Sequence, residues 1–280
     1  MIKIVTDSTS DLSPDVARQH GIEIVPLRVH FGEQTFRDRV DLSSKQFFRL
    51  LKSSPRPPTS SQPPAGEFLE LYRRLAADGS SIISIHLSSR LSGTYASACA
   101  GRDMLEDANV HVVDTLIISA CQGWMAMEAA RMAAADQSVE AILDRLEFMK
   151  KNSHLYLTLD TLEYMRRGGR IGGAQALLGT VLQMKPILMV FDGRVEVFER
   201  IRTRSKAVAR AKEIVFQHAA GHKRLYLAIL HAADAELAQQ LHDELAPQLD
   251  NLVESAVVEV GPTISTHTGP GGLGVSFFVE

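Results

Sequence analysis

Short apolar runs alternate with longer stretches of helical periodicity through the first half of the chain. Residues 2–5, 22–29, Ser81–His86 and 110–113 have the length and apolar content of strands. Residues 65–77, 94–104, 119–135 and 138–152 repeat their apolar positions at helical spacing. Ser13 followed by Pro14 marks the cap and first turn of a helix to about His20, and Ser43 caps another to about Leu51. Residues 31–38 read as a turn-rich hairpin. Strands alternating with helices predict an α/β fold whose parallel sheet is covered on both faces. The rhythm breaks at 53–64, where prolines predict a stiff, extended loop.

A different rhythm follows residue 152. Strands are expected at 155–159, 186–191, 195–201, Leu225–His231, 253–260 and 275–279. Asp192-Gly193 joins two of these as a hairpin turn, so the second sheet contains antiparallel pairs. Residues 162–173 read as a helix stopped by Gly168-Gly169 and Gly172-Gly173, followed by a helix through Leu182. Further helices are expected at 205–219 and Ala235–Leu245. The change of character divides the chain into residues 1–155, with the parallel sheet, and residues 156–280, with a mixed sheet. Two domains suit a length of 280 residues.

Composition narrows the function classes. A net charge of -3 argues against a nucleic-acid or membrane-surface binder, which would carry a basic excess. Cys99 and Cys121 both fall in helical patterns beside small apolar residues, as reduced thiols of a cytoplasmic protein would. The strand that begins beside Met1 leaves no room for a signal peptide, and no apolar run is long enough to span a bilayer. The His and Cys residues show no metal-ligand spacing.

Candidate chemistry lies in the loops. Residues 7–11, 88–94 and Asp114 fall at the carboxyl ends of the first-half strands, where open α/β sheets bind ligands. Three segments carry hydroxyls: Thr59-Ser60-Ser61, 88–94 and 263–268. Singly, such residues satisfy turn backbone, and Ser92-Gly93-Thr94 can simply cap the following helix. The 166–170 arginines likewise suit a solvated helix end. Residues 261–274 lie between two strand-like runs and read as a loop with hydroxyls, His267 and little else to block a small anion. Gly269, Gly271 and Gly274 spell GxGxxG, but a strand follows them, so this is no dinucleotide fingerprint.

Taken together, these segments resemble the DegV family along nearly the whole chain. The resemblance rests on Thr6-Asp7-Ser8-Thr9-Ser10-Asp11-Leu12, Pro58-Thr59-Ser60-Ser61-Gln62-Pro63, Leu91-Ser92-Gly93-Thr94-Tyr95, the 162–172 segment, Lys185-Pro186-Ile187-Leu188, Arg202-Thr203-Arg204, and Thr266-His267-Thr268-Gly269-Pro270-Gly271. It implies a two-domain fold: a three-layer α/β/α domain with a mainly parallel sheet, then a two-layer α/β domain with a mixed sheet. It also implies a lipid-binding protein similar to the fatty-acid-binding subunits (FakB) of bacterial fatty acid kinase. Such subunits hold a long-chain fatty acid between the domains and present it to a separate ATP-using kinase subunit, which makes acyl phosphate for phospholipid metabolism. The ligand is then the fatty acid, with no further cofactor, no nucleic acid and no catalytic residue. Carried over by motif, Thr59 or Ser60, Ser92 and His267 hold the carboxylate, and Arg170 faces the kinase subunit with an exposed guanidinium. Ser60 stands where the family often has Thr, and Arg90 where a small residue is usual.

The acyl tail would need apolar walls near the domain interface. Ile117, Ile118, Leu159, Leu162, Leu177, Leu178, Leu182 and Ile187 are candidates. The competing reading is an acyl-ester hydrolase using Ser92, His267 and an acid such as Asp7 or Asp114. Arg90 occupies the first glycine position of a nucleophile elbow around Ser92, which disfavours it. No Gly-x-x-x-x-Gly-Lys-Ser/Thr phosphate loop is present either, so ATP chemistry would need a partner.

Overall fold

The first apolar run becomes β1 (Ile2–Asp7), and α1 (Pro14–His20) opens as expected, with Ser13 Oγ accepting from the Val16 N–H. This computed structural model describes residues 1–106, 108–177 and 185–280. The 22–29 run is two strands and not one, β2 (Ile22–Val25) and β3 (Arg28–Phe31). Pro26 sits at the break, and it has no N–H to continue a ladder. β4 (Gln34–Arg37) folds back on β3, and Ser43 with Gln46 forms a capping box on α2 (Ser44–Ser53). The proline-rich segment is not all loop: Thr59–Ser61 form β5, an edge strand antiparallel to β3. The prolines flank those three residues and leave their backbone free to pair. α3 (Ala65–Ala76), β6 (Ser81–His86), α4 (Thr94–Asp103), β7 (Val110–Asp114), α5 (Ala120–Ala134) and α6 (Val139–Lys151) then follow the expected alternation.

The second half runs β8 (Ser153–Thr158), α7 (Glu163–Arg167), β9 (Ile187–Phe191), β10 (Arg194–Glu199), α8 (Arg204–Ala219), β11 (Leu225–His231), α9 (Ala235–Leu245), β12 (Leu252–Glu259), α10 (Pro262–Thr268) and β13 (Leu273–Val279). The hairpin at Asp192-Gly193 is as expected, with both turn residues at positive φ. Residues 172–177 form a 3-10 turn, and the helix expected through Leu182 falls on residues 178–184, outside the described ones. The largest departure is α10, in a stretch expected to be loop. Pro262 takes the first helical position, Gly261 precedes it in extended backbone, and Gly269 ends the helix at φ 69°. Two of its hydroxyls serve the helix itself: Thr266 Oγ1 donates to Pro262 O (2.9 Å) and Thr268 Oγ1 to Ile264 O (3.3 Å).

Three sheets result: a parallel one ordered β2-β1-β6-β7, an antiparallel one ordered β4-β3-β5, and a mixed one ordered β10-β9-β8-β13-β11-β12. Between the parallel and mixed sheets lies α5, buried from Ala120 to Met127. A helix apolar all round needs cover all round, and β1 and β6 meet one side while β8 and β13 meet the other. Trp124 of α5 packs on Tyr226 of β11, ring centres 6.2 Å apart. Ile264 of α10 packs against this shared core, and the turn that follows β1 contacts α10. None of the described helices is long and apolar enough to cross a membrane.

Candidate functional site

Four segments far apart in sequence converge on one cavity: β5, the turn after β6, the residues after α7, and α10. Ser60, Ser61 and Gln62 come from the first, Leu91 and Ser92 from the second, Arg170 from the third, and Thr263, Ile264, His267 and Thr268 from the fourth. The last four share one helical face by their spacing. Both halves of the chain supply walls, since Thr9, Leu27, Leu87 and Ile118 stand opposite Leu157, Met165, Val190 and Val195. The space unfilled by atoms, including the open mouth, is about 710 Å³. A second space of about 370 Å³ adjoins it, sharing Ile118, Leu157, Ile264 and Thr268 and continuing past Leu155, Leu159 and Leu230. Ser60, Ser92, Arg170 and His267 make up the polar end of the first cavity, and most of the remaining exposed wall is apolar, with Thr9 and Thr268 among it.

His267 is the centre of the polar end. Its Nε2 shares a hydrogen bond of 2.7 Å with Ser60 Oγ, across 207 residues of sequence. Its Nδ1 is buried without a hydrogen-bond partner among the described residues. Burial, and after it the charge on Arg170, push the imidazole down to about 4, so the ring is neutral at neutral pH. Gly168 makes room for it: a Cβ there would lie 2.2 Å from Nδ1. Ser92 lines the same cavity, its Oγ 2.9 Å from Thr94 Oγ1.

Arg170 is not the exposed helix-end charge expected from the sequence. It is half-buried along the cavity wall, with Nε donating to Leu91 O (3.1 Å) and Nη1 to Gly168 O (2.7 Å). The exposed neighbours are Arg166 and Arg167, and both pair with Glu163. Outside the mouth, Arg90 and Arg194 join Arg170 in lining an open cleft, and Arg90 pairs with Asp192. Thr59 is exposed on β5 and does not line the cavity, so of the two hydroxyls expected there only Ser60 reaches it.

Few of the expected tail residues lie where they were placed. Ile118 lines the first cavity and Leu159 the second. Ile117, Leu162, Leu177 and Ile187 instead pack into cores around the cavity, and Leu178 and Leu182 lie outside the described residues. Leu27, Leu87, Leu91, Leu157, Met165, Val190, Val195 and Ile264 were not anticipated as cavity wall. For Ile264 a signal existed: Pro262 announces a helix, and on a helix Ile264 shares a face with His267 and Thr268.

The hydrolase constellation is not assembled. Asp7 accepts from His86 Nδ1 (2.9 Å), the Leu87 N–H and Thr9, and none of its contacts is to His267. Asp114 accepts from the backbone of Ser89 and Leu116. His267 bonds Ser60, and Ser92 bonds Thr94, so among the described residues no carboxylate orients the ring and no ring activates Ser92. Among the described residues no group of three or more His, Cys, Asp or Glu could hold a metal ion.

A second titratable group stands behind α10. Burial pushes the Asp38 carboxyl up to about 6, against the pull of Thr263, Ser8 and Arg39. Ser8 Oγ donates to its Oδ2 (2.8 Å), while neither its Oδ1 nor Thr263 Oγ1 completes a hydrogen bond of normal geometry. Asp38 and His267 oppose each other in acid. The folded pKa of Asp38 lies above its unfolded 3.8, so its contribution grows as pH falls through 6, by about 1 kcal/mol from pH 7 to 5. The folded pKa of His267 lies below its unfolded 6.5, so its contribution is lost as pH falls from 6.5 toward 4, by about 2 kcal/mol over the same interval. Asp38→Asn should therefore lose more stability than the native protein between pH 7 and 5, and His267→Asn less. Urea unfolding at both pH values checks this; identical pH slopes would refute it.

The family model described as an uncharacterised protein of the DegV family matches residues 1–280. Among solved structures, a fatty-acid-binding DegV family protein from Thermus thermophilus is 35% identical, with a TM-score of 0.94 over 100% of this chain and 99% of that one. DegV of Bacillus subtilis, a fatty acid binding protein, is 37% identical with a TM-score of 0.92, again over 100% and 99%. A stearic acid-binding protein from Eubacterium ventriosum is 25% identical with a TM-score of 0.92, over 100% and 98%.

Proposed function

The chain belongs to the DegV family, and we propose that it binds one long-chain fatty acid, carboxylate at the Ser60–His267 pair and tail in the apolar cavity. The observation that carries the reading is a largely apolar space, closed at one end by two hydroxyls, an imidazole and a guanidinium. A carboxylate removed from water needs several donors, and Ser60, Ser92, His267 and Arg170 are the groups within that end. The neutral ring can donate one hydrogen bond, while the fixed positive charge is Arg170. About a dozen buried methylenes at ~0.8 kcal/mol each contribute on the order of 10 kcal/mol gross. Immobilising the ligand offsets a good part of it. Relatives of this fold that bind fatty acids, stearic acid among them, support the same ligand class.

In this reading the site lies between residues 1–155 and 156–280, and the protein is a cytoplasmic, non-catalytic subunit. Its sequence has no phosphate loop, so an ATP-using kinase subunit would receive the carboxyl group and form acyl phosphate. Arg170, at the mouth beside Arg90 and Arg194, would face an acidic surface of that subunit.

Organic extraction of the purified protein, with mass spectrometry of the extract, should recover a long-chain fatty acid. Ser60→Ala and His267→Ala should each weaken binding by about 1.5–3 kcal/mol in calorimetric titration, the cost of losing a hydrogen bond to a charged group. Protein that yields no acyl lipid and takes up none when it is added would sink the reading. Acyl phosphate formed from ATP by the purified chain alone would refute its dependence on a kinase subunit.

A further inference from the structure

We propose that Arg39 is a positioning residue for the ligand site: its guanidinium pins the start of α10 to the β1 and β4 loops and so sets His267 against Ser60. The inference rests on the fatty-acid reading for its affinity readout only.

Arg39 is a poor choice for its backbone. It stands at φ 61°, a conformation that side chains other than glycine's adopt only when their surroundings impose it. What its side chain reaches explains its presence. Nη2 donates to Asp11 Oδ1 (2.8 Å) and to Glu259 O (2.7 Å), the last residue of β12. Asp11 is fully buried, itself at φ 56°, and its carboxylate also accepts from the Gly261 N–H (2.9 Å) and Ser119 Oγ (2.6 Å). One ion pair thus gathers the exit of β1, the exit of β4 and the junction of β12 with α10. Gly261 is packed so closely that a Cβ there would lie 2.8 Å from Arg39 Nε.

Two of those segments lead directly into the cavity, and the third, β4, reaches it through β3, which pairs with β4 on one side and β5 on the other. The exit of β1 supplies Thr9, the antiparallel sheet supplies Ser60 through the Val29–Ser60 pairing, and α10 supplies Thr263, Ile264 and His267. Ser60 and His267 have no covalent reason to meet. Their 2.7 Å bond depends on how α10 enters, and the entry is fixed at Gly261 by Asp11 and Arg39. A buried ion pair contributes little net stability against a neutral replacement, and the role proposed for this one is to select a single entry of α10.

The test uses Arg39→Gly, because glycine adopts this backbone without strain. Should the unpaired Asp11 carboxylate prevent folding, the Asp11→Asn/Arg39→Gly double variant removes both charges. Circular dichroism and urea unfolding establish which variants are folded. Stearic acid titrated by calorimetry should bind the folded variant about 10- to 100-fold more weakly, the size expected when a hydrogen bond to a charged group is lost. The His267 ring, followed by NMR without ligand, should stay neutral down to about pH 4 in the native protein and titrate nearer its unfolded value in the variant. Folded variants with affinity within twofold of native, or with an unmoved His267 titration, would overturn the proposal. If the native protein binds no stearic acid, the fatty-acid reading fails, and the ring titration still decides for or against the pin.

Discussion

Asp7→Ala should destabilise the protein by about 3–5 kcal/mol, the cost of removing one partner from a buried ionic network. Asp7, His86, Ser84 and Tyr72 are all fully buried. Tyr72 Oη donates to Ser84 Oγ (2.8 Å), Ser84 Oγ meets His86 Nε2 (2.7 Å), and His86 Nδ1 donates to Asp7 Oδ2 (2.9 Å). The far carboxylate oxygen accepts from Thr9 Oγ1 and the Thr9 N–H. Burial alone would raise the Asp7 pKa. The bond and charge of His86, with Thr9 and Leu87, outweigh it and hold the carboxyl below its ordinary value. Alanine would strand all of these donors in a space closed to water. Asp7→Asn is no remedy, since whichever way its amide turns the NH2 faces a backbone N–H, that of Leu87 or that of Thr9. Equilibrium urea unfolding measures the loss, and a cost under about 1 kcal/mol would mean the network is replaceable by packing alone. The order Ser84–His86–Asp7 is that of a catalytic triad, but with no side chain exposed it serves the fold. It fixes Thr9 and Leu87, both of which line the cavity.

How far the sequence was legible depended on the range of the forces involved. The alternation of β1 to α6 and the later hairpin could be read because these elements carry their own signals: Ser13-Pro14 at α1, the Ser43 cap at α2, the Asp-Gly turn between β9 and β10. β5 was hidden because three residues between prolines pair only once β3 is placed beside them. α10 was misread because its glycines and hydroxyls outweighed Pro262, although Thr266 and Thr268 spend their hydroxyls on the helix. Family motifs singled out Ser60, Ser92 and His267, which do line one cavity, whereas residue pattern alone left the two serines as turn-formers and His267 in a polar loop. The tail walls were largely missed for a different reason. Leu91, Met165, Val190 and Val195 are no more apolar than true core, and only the packing of β9, β10 and α7 around a gap separates the two. A cavity is a property of what fails to fill a space, and no local pattern encodes it.

Gly168→Ala should weaken fatty acid binding about 10- to 100-fold, the cost of losing one hydrogen bond to a charged group, while the chain still folds. Gly168 has an ordinary helical backbone, φ -75° and ψ -8°, so alanine is conformationally acceptable there. The only change is a methyl group aimed at His267, 2.2 Å from Nδ1 and 2.8 Å from Cε1. The ring could escape only by turning into the cavity, and that would break the bond to Ser60 that ties it at Nε2. Overpacking of this kind costs about 1–3 kcal/mol of stability. It also displaces the donor that the carboxylate needs. The mechanism predicts strong non-additivity. In a His267→Ala background the collision is gone, so Gly168→Ala should then change stability by less than about 1 kcal/mol and leave the already weakened affinity where it was. Calorimetric titration and urea unfolding of the two single variants and the double variant measure both quantities. An equal penalty in both backgrounds would show that Gly168 matters for some reason other than the room it leaves for His267.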